Sequence, residues 1–168
     1  MASETIQNSE EYVHQSEEKV KQDCESRAFI RLSEKIKQRF PRLSIVIIAD
    51  GLYVSRKVME TCRKYGWDYI IRYKEGSAPS IAEEYRSLPE KEKLDGGIEY
   101  QNQIPFREHD VNLIYYTEKK KEKVTESAWI TSIEITKRNA EKIVQAGRNR
   151  WKIENQGFNR QKHWQAVK

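Results

Sequence analysis

The run Ser44-Ile-Val-Ile-Ile-Ala-Asp-Gly51 limits the folds open to this chain more than any other feature. Residues 45–49 are apolar without a break, and four of the five are β-branched. A strand with one wet face alternates apolar with polar residues, so an unbroken run predicts a strand buried on both faces of a sheet. Residues 55–65 then have helical character and are followed by Gly66, suited to a left-handed helix cap. A second apolar run covers 67–73, giving a βαβ unit whose two strands are parallel. The chain is therefore read as α/β. Asp50 emerges at the C-terminal edge of the first strand, where ligands and catalytic groups gather in open α/β sheets. An Asp-Gly pair after a strand is also an ordinary turn.

The flanking segments extend this frame. Ala28, Phe29, Leu32, Ile36 and Phe40 recur at helical spacing between Ser26 and Pro41, predicting a helix that the proline ends. Residues 1–25 carry few apolar side chains and read as an acidic, mostly disordered tail. Ser80 and Glu83 form a capping-box pattern for a short helix reaching about Leu88. After Gly96-Gly97, the segments 98–104, 111–117 and 128–135 are rich in aromatic and β-branched residues, predicting antiparallel strands over about 96–135. The lysine-rich run 119–123 falls at a hairpin tip, where a solvated turn is expected. A single long helix is expected from about Thr136 to His163.

Composition removes several classes. The 168 residues are 37% hydrophobic and 34% charged, with a mean hydropathy of −0.92, and no apolar run approaches the ~20 residues a bilayer helix needs. No membrane association is expected, and the polar, acidic first residues do not resemble a secretory signal, so the expected compartment is the cytoplasm. Cys24, Cys62, His14, His109 and His163 are scattered, which signals neither a zinc module nor a disulfide framework. The charge is unevenly placed. Residues 1–25 hold seven acidic side chains against two lysines, whereas residues 137–168 hold nine basic side chains against two glutamates, about −5 and about +7. A basic helix of this kind is either solvated or faces a polyanion, of which nucleic acid is the usual example.

On that helix Ala140, Val144, Gly147, Trp151, position 154 and Phe158 form one stripe with steps of four and three. Position 154 is Glu154. A carboxylate on an apolar stripe requires a cation, a metal or a wet cleft beside it. Either Arg150, one turn earlier, pairs with it, or it joins Asp50 in a site. Two carboxylates on a strand end and a distant helix suit Mg²⁺, a hard ion that prefers oxygen ligands, in phosphoryl-transfer chemistry.

Three segments carry a resemblance: Phe40-Pro-Arg-Leu-Ser-Ile-Val-Ile-Ile-Ala-Asp50-Gly-Leu-Tyr53, Gly66-Trp-Asp-Tyr-Ile-Ile-Arg-Tyr-Lys-Glu-Gly76 and Gly147-Arg-Asn-Arg-Trp-Lys-Ile-Glu-Asn-Gln-Gly-Phe-Asn159. Together, over about 20–163, the chain resembles the DDE transposases of bacterial insertion sequences. The resemblance implies an RNase H-like fold with a β insertion before a long C-terminal helix. It implies metal-dependent DNA cleavage and strand transfer on insertion-sequence ends and target DNA. Asp50 matches the second acidic residue of the triad and Glu154 the third, as ligands for Mg²⁺ (or Mn²⁺). The family's arginine falls on Arg150, its tyrosine position holds Gly147, and Lys162 is the lysine nearest the family's own, one residue beyond the usual spacing. Arg148, Arg150, Lys152, Arg160 and Lys162 are the expected DNA-binding residues.

The chain departs from the pattern at its front. The family's first aspartate stands on a strand well before Asp50, and the sole candidate, Asp23, precedes a helix and does not match. Residues 26–168 are therefore expected to form a partial RNase H-like catalytic domain, cut at both ends. Loss of the preceding strands would leave strand 45–49 with an unpaired edge and one exposed apolar flank, favouring self-association. The alternative to a transposase is a catalytically inactive remnant that only binds DNA.

Overall fold

The computed structural model describes residues 17–120 and 123–152. The elements, in chain order, are α1 (Glu17–Arg39), β1 (Val46–Ala49), α2 (Arg56–Tyr65), β2 (Asp68–Tyr73), α3 (Pro79–Ser87), β3 (Glu92–Leu94), β4 (Ile98–Phe106), β5 (His109–Lys120), β6 (Lys123–Thr131) and α4 (Ala140–Lys152). The six strands make one sheet in the order β1-β2-β6-β5-β4-β3. β1 and β2 are parallel, with Ile48 opposite Ile70, and every other pairing is antiparallel. This is a mixed α/β architecture compatible with a partial RNase H-like fold. The expected antiparallel segment is continuous with the parallel pair through β6, which lies beside β2.

Each sheet face has its own core. On one face Phe29 of α1, Val58, Met59 and Cys62 of α2, and Ile81 and Tyr85 of α3 pack over Ile71, Ile130 and Leu113. On the other, Ala140, Ile143 and Val144 of α4 pack over Ile70, Trp129, Ile114, Ile98 and Tyr100. The predicted stripe of α4 is buried at Ala140, Val144 and Gly147. Burial pushes the Cys62 thiol up to about 12, consistent with an inert core cysteine.

Several local expectations hold. The helix expected over about 55–65 is α2, and Gly66 closes it in the left-handed conformation; Ser55 is its N-cap, with the side chain accepting from Val58 N. Others need correction. β1 is not buried on both faces, as its apolar run alone implies, but has the exposed flank expected of an edge strand: Val46 and Ile48 are 45% and 38% exposed, and among the described residues β1 is the edge of the sheet. α1 starts at Glu17, ahead of the expected cap at Ser26; Ser26 and Ser33 are buried within it. α3 has Pro79 in its first turn and makes no side-chain cap, so the Ser80–Glu83 pattern does not set its start. Proline's fixed φ and missing N–H suit that first position. The third expected strand ends at Thr131, not Ile135, and α4 begins four residues later than Thr136.

The segment between β6 and α4 is held by a bulge in β4. The register slips between Gln101 and Ile104, with Gln103 at φ 58°. The Asn102 amide clips Ile135 at both backbone groups, donating at 2.8 Å and accepting at 2.9 Å. Asn112 accepts from Gln103 N and donates to the Ile133 carbonyl. These bonds fix the direction in which the chain enters α4, and so where its arginines fall.

Candidate nucleic-acid and metal site

Asp50 directly follows β1 and shares the parity of Val46 and Ile48, which places it on the α4 side of the sheet. It caps a short 3-10 turn, Gly51–Tyr53, with Oδ1 accepting from Leu52 N at 3.0 Å. Oδ2 lies 3.9 Å from Arg150 Nη1, an ion pair longer than a hydrogen bond. The carboxylate thus has one oxygen fixed by the backbone and the other directed at α4.

α4 crosses this face with Gly147 seated on the Trp129 indole. A Cβ at Gly147 would lie 2.4 Å from Trp129 Nε1, so no other residue fits without displacing a buried ring. That contact explains why glycine stands here. Arg148 and Arg150, at +100° and about −60° from Gly147 on the helical wheel, leave its opposite sides. Arg150 reaches Asp50, while Arg148 lies over the Tyr116 ring of β5 and 3.3 Å from both Glu118 carboxylate oxygens.

Between them lies Arg72 of β2, whose Cα partner on β6 is Trp129. Its guanidinium sits 5.0 Å from the Trp129 ring centroid. Burial, and after it the neighbouring Arg150, lowers its pKa from the usual arginine range, although guanidinium stays protonated in proteins. Arg150 thus stands between a carboxylate, Asp50, and a second guanidinium, Arg72. From β1 to β5 the face therefore presents Asp50, Arg150, Arg72, Arg148 and Lys120, interleaved with the rings of Trp129 and Tyr116.

Asp50, Arg148 and Arg150 are thus brought to one face, with Lys152 in the last turn of α4; Glu154, Arg160 and Lys162 lie outside the described residues. Arg72 and Trp129 were not singled out by the sequence reading. The signal was present, since Arg72 is a charge inside the apolar run 67–73, the same conflict that marked Glu154.

A second cluster, on the face covered by α1, α2 and α3, combines Glu60, Glu108 and His109, whose ligand atoms lie within 4.8 Å of one another. It sits at the sheet's other end, because β5 begins where β2 begins. Arginines engage each member: Arg56 donates to Glu60 at 2.7 Å and pairs with Glu108 at 2.9 Å, and Arg63 lies 3.0 Å from His109 Nδ1, while His109 Nε2 is buried without a hydrogen-bond partner among the described residues. The Arg56 hydrogen bond holds the Glu60 carboxyl below its usual range. Its two carboxylates are compensated by Arg56, and the cluster is distinct from the Asp50 edge.

The sequence profile of the family described as Transposase DDE domain matches residues 20–162, most of the chain. No curated protein matches the sequence. Among the described residues, no helix is long and apolar enough to cross a membrane.

Proposed function

This chain belongs to the transposase DDE domain family, whose substrate is DNA and whose members generally use divalent metal, and we propose that it derives from an insertion-sequence transposase acting at the Asp50 edge. The observation that carries this reading is the juxtaposition of Asp50 with Arg150 and Arg72 on the face crossed by α4. Asp50 and Glu154 would hold Mg²⁺ or Mn²⁺. The oxygen donor set suits a hard ion, and Asp50 keeps one oxygen off the backbone. Such an ion, when bound, activates water and polarises a phosphoryl oxygen.

The chain's own residues bind and orient the DNA. Arg150 and Arg72 hold phosphate oxygens with planar forks. The Trp129 ring fixes the Arg72 guanidinium plane, and the Gly147 contact sets the height of α4 over the sheet. Arg148, Lys152, Arg160 and Lys162 extend the backbone contacts. The protein acts in the cytoplasm, and the open edge of β1, with Val46 and Ile48 exposed, supports self-association.

The second reading, DNA binding without cleavage, is favoured by one observation. Among the described residues Asp50 belongs to no cluster of three potential metal ligands, and a cation faces it. A supercoiled-plasmid nicking assay in Mg²⁺ or Mn²⁺ separates the two. The catalytic reading predicts nicking that Asp50→Asn and Glu154→Gln each abolish while DNA binding persists. Nicking that survives both substitutions overturns it, and wild-type binding without nicking leaves the second reading.

A further inference from the structure

A cation of the chain itself stands beside the oxygen that a metal ion would use at the Asp50 edge. Asp50 Oδ1 accepts from Leu52 N at 3.0 Å, so Oδ2 is the oxygen without a backbone bond, and Arg150 Nη1 lies 3.9 Å from it. Among the described residues Asp50 belongs to no group of three potential metal ligands, and Arg150 balances its charge. At that distance the contact has Coulomb attraction without hydrogen-bond geometry. The Arg150 and Asp50 side chains are 27% and 36% exposed, so the pair is weak and readily parted.

The helix is anchored more firmly than this side chain. Gly147, three residues earlier, rests on the Trp129 indole with no room for a Cβ, and Ile143 and Val144 are buried beneath α4. Arg150 can therefore change its partner by rotating its own side chain while α4 stays in place. On its other side the Arg72 guanidinium is held over the Trp129 ring, 5.0 Å from the centroid, and is close enough to feel the charge of Arg150. A phosphate oxygen bound between the two guanidiniums pairs with both, and it competes with Asp50 for Arg150.

We infer that Arg150 couples DNA binding to metal binding: without DNA it neutralises the Asp50 carboxylate, and a DNA phosphate, by drawing Arg150 towards Arg72, frees that carboxylate for a divalent ion. The inference rests on the metal and DNA reading above and adds an order of loading to it. A guanidinium and a divalent cation at the same carboxylate oxygen repel each other, so each weakens the hold of the other. Linkage makes the effect reciprocal, since the factor by which DNA raises metal affinity is the factor by which metal raises DNA affinity. Metal then loads at Asp50 chiefly in the DNA-bound protein. Arg150 acts here through Asp50, as a positioning residue.

The test is Mn²⁺ binding to the full chain, read by water-proton relaxation at fixed ionic strength, for wild type, Arg150→Gln, Lys142→Gln and Asp50→Asn. Each protein is titrated without DNA and then with a saturating short duplex, after subtraction of the duplex alone. Without DNA, Arg150→Gln should bind Mn²⁺ about 5-fold more tightly than wild type, the lower end of typical couplings between sites. Lys142→Gln removes the same charge from an exposed position of the same helix, two turns away, and should change the affinity by less than about 2-fold. With duplex, wild type and Arg150→Gln should reach similar affinities, so the gain on adding DNA is smaller in the variant by the factor it gained without DNA. If Asp50→Asn abolishes the signal but Arg150→Gln binds Mn²⁺ as wild type does, or gains as much from DNA, the coupling is overturned and the metal reading stands. Equal tightening by Lys142→Gln reduces the effect to net charge and also overturns it. A signal that survives Asp50→Asn, or that no protein gives, overturns the metal assignment itself, and the coupling with it.

Discussion

β1 and β2 are adjacent parallel strands, each built around a pair of consecutive isoleucines, yet they occupy different environments. Ile70 and Ile71 of β2 are buried on opposite faces, one under α4 and the other under the helices of the far side. In β1 only Ala49 is buried, while Val46 and Ile48 face solvent. The difference lies in the neighbours, since β2 has a strand on either side and β1 has one among the described residues. Stability is concentrated in the centre of the sheet, and the charged groups of the site sit at its exposed end.

That contrast can be broken most forcefully by truncation. Ile71→Ala should cost about 2–5 kcal/mol in urea unfolding, whereas Ile48→Ala, already half in water, should cost less than about 1 kcal/mol. Equal costs would mean that the open face of β1 is covered in solution. Next in size is Gly147→Ala. Placing a methyl group against the buried Trp129 indole should destabilise by about 1–3 kcal/mol, outweighing the gain of about 1 kcal/mol in helix propensity. A stabilised Gly147→Ala protein would show that α4 does not rest on Trp129.

Asp50→Asn sharpens the comparison from the site's side. Asparagine caps as well as aspartate, so stability should stay within about 0.5 kcal/mol while divalent-metal-dependent nicking disappears. A large loss of stability would make Asp50 a structural residue. The smallest effect on folding is expected from Val46→Lys with Ile48→Lys, within about 0.5 kcal/mol, because both side chains are exposed. The same pair should shift sedimentation towards the monomer, since charge on an edge strand opposes edge-to-edge pairing. Unchanged sedimentation would remove β1 as the self-association surface.

Much of this arrangement was legible in the sequence. The βαβ unit, the strand-end position of Asp50, the Gly66 cap and the first half of the α4 stripe, Ala140, Val144 and Gly147, follow from local patterns that the structure keeps, while the rest of that stripe lies outside the described side chains. The exposure of β1 did not follow from its apolar run, which specifies a strand and not its place in a sheet, but from the family resemblance, whose missing preceding strands leave one flank of this strand exposed. β3 was missed because Glu92, Lys93 and Leu94 carry no strand pattern and are set by pairing with β4. Arg72 and Trp129 meet only through the β2–β6 register, a contact across 57 positions of sequence.

The most direct test of the central claim is Mn²⁺ binding, followed by water-proton relaxation, for wild type, Asp50→Asn and the double variant Glu60→Gln/His109→Ala. Metal held at the Asp50 edge predicts that Asp50→Asn loses the relaxation enhancement while the double variant retains it. The reverse result, with Asp50→Asn unaffected and the double variant silent, would move the metal to the Glu60, Glu108 and His109 cluster and contradict the assignment.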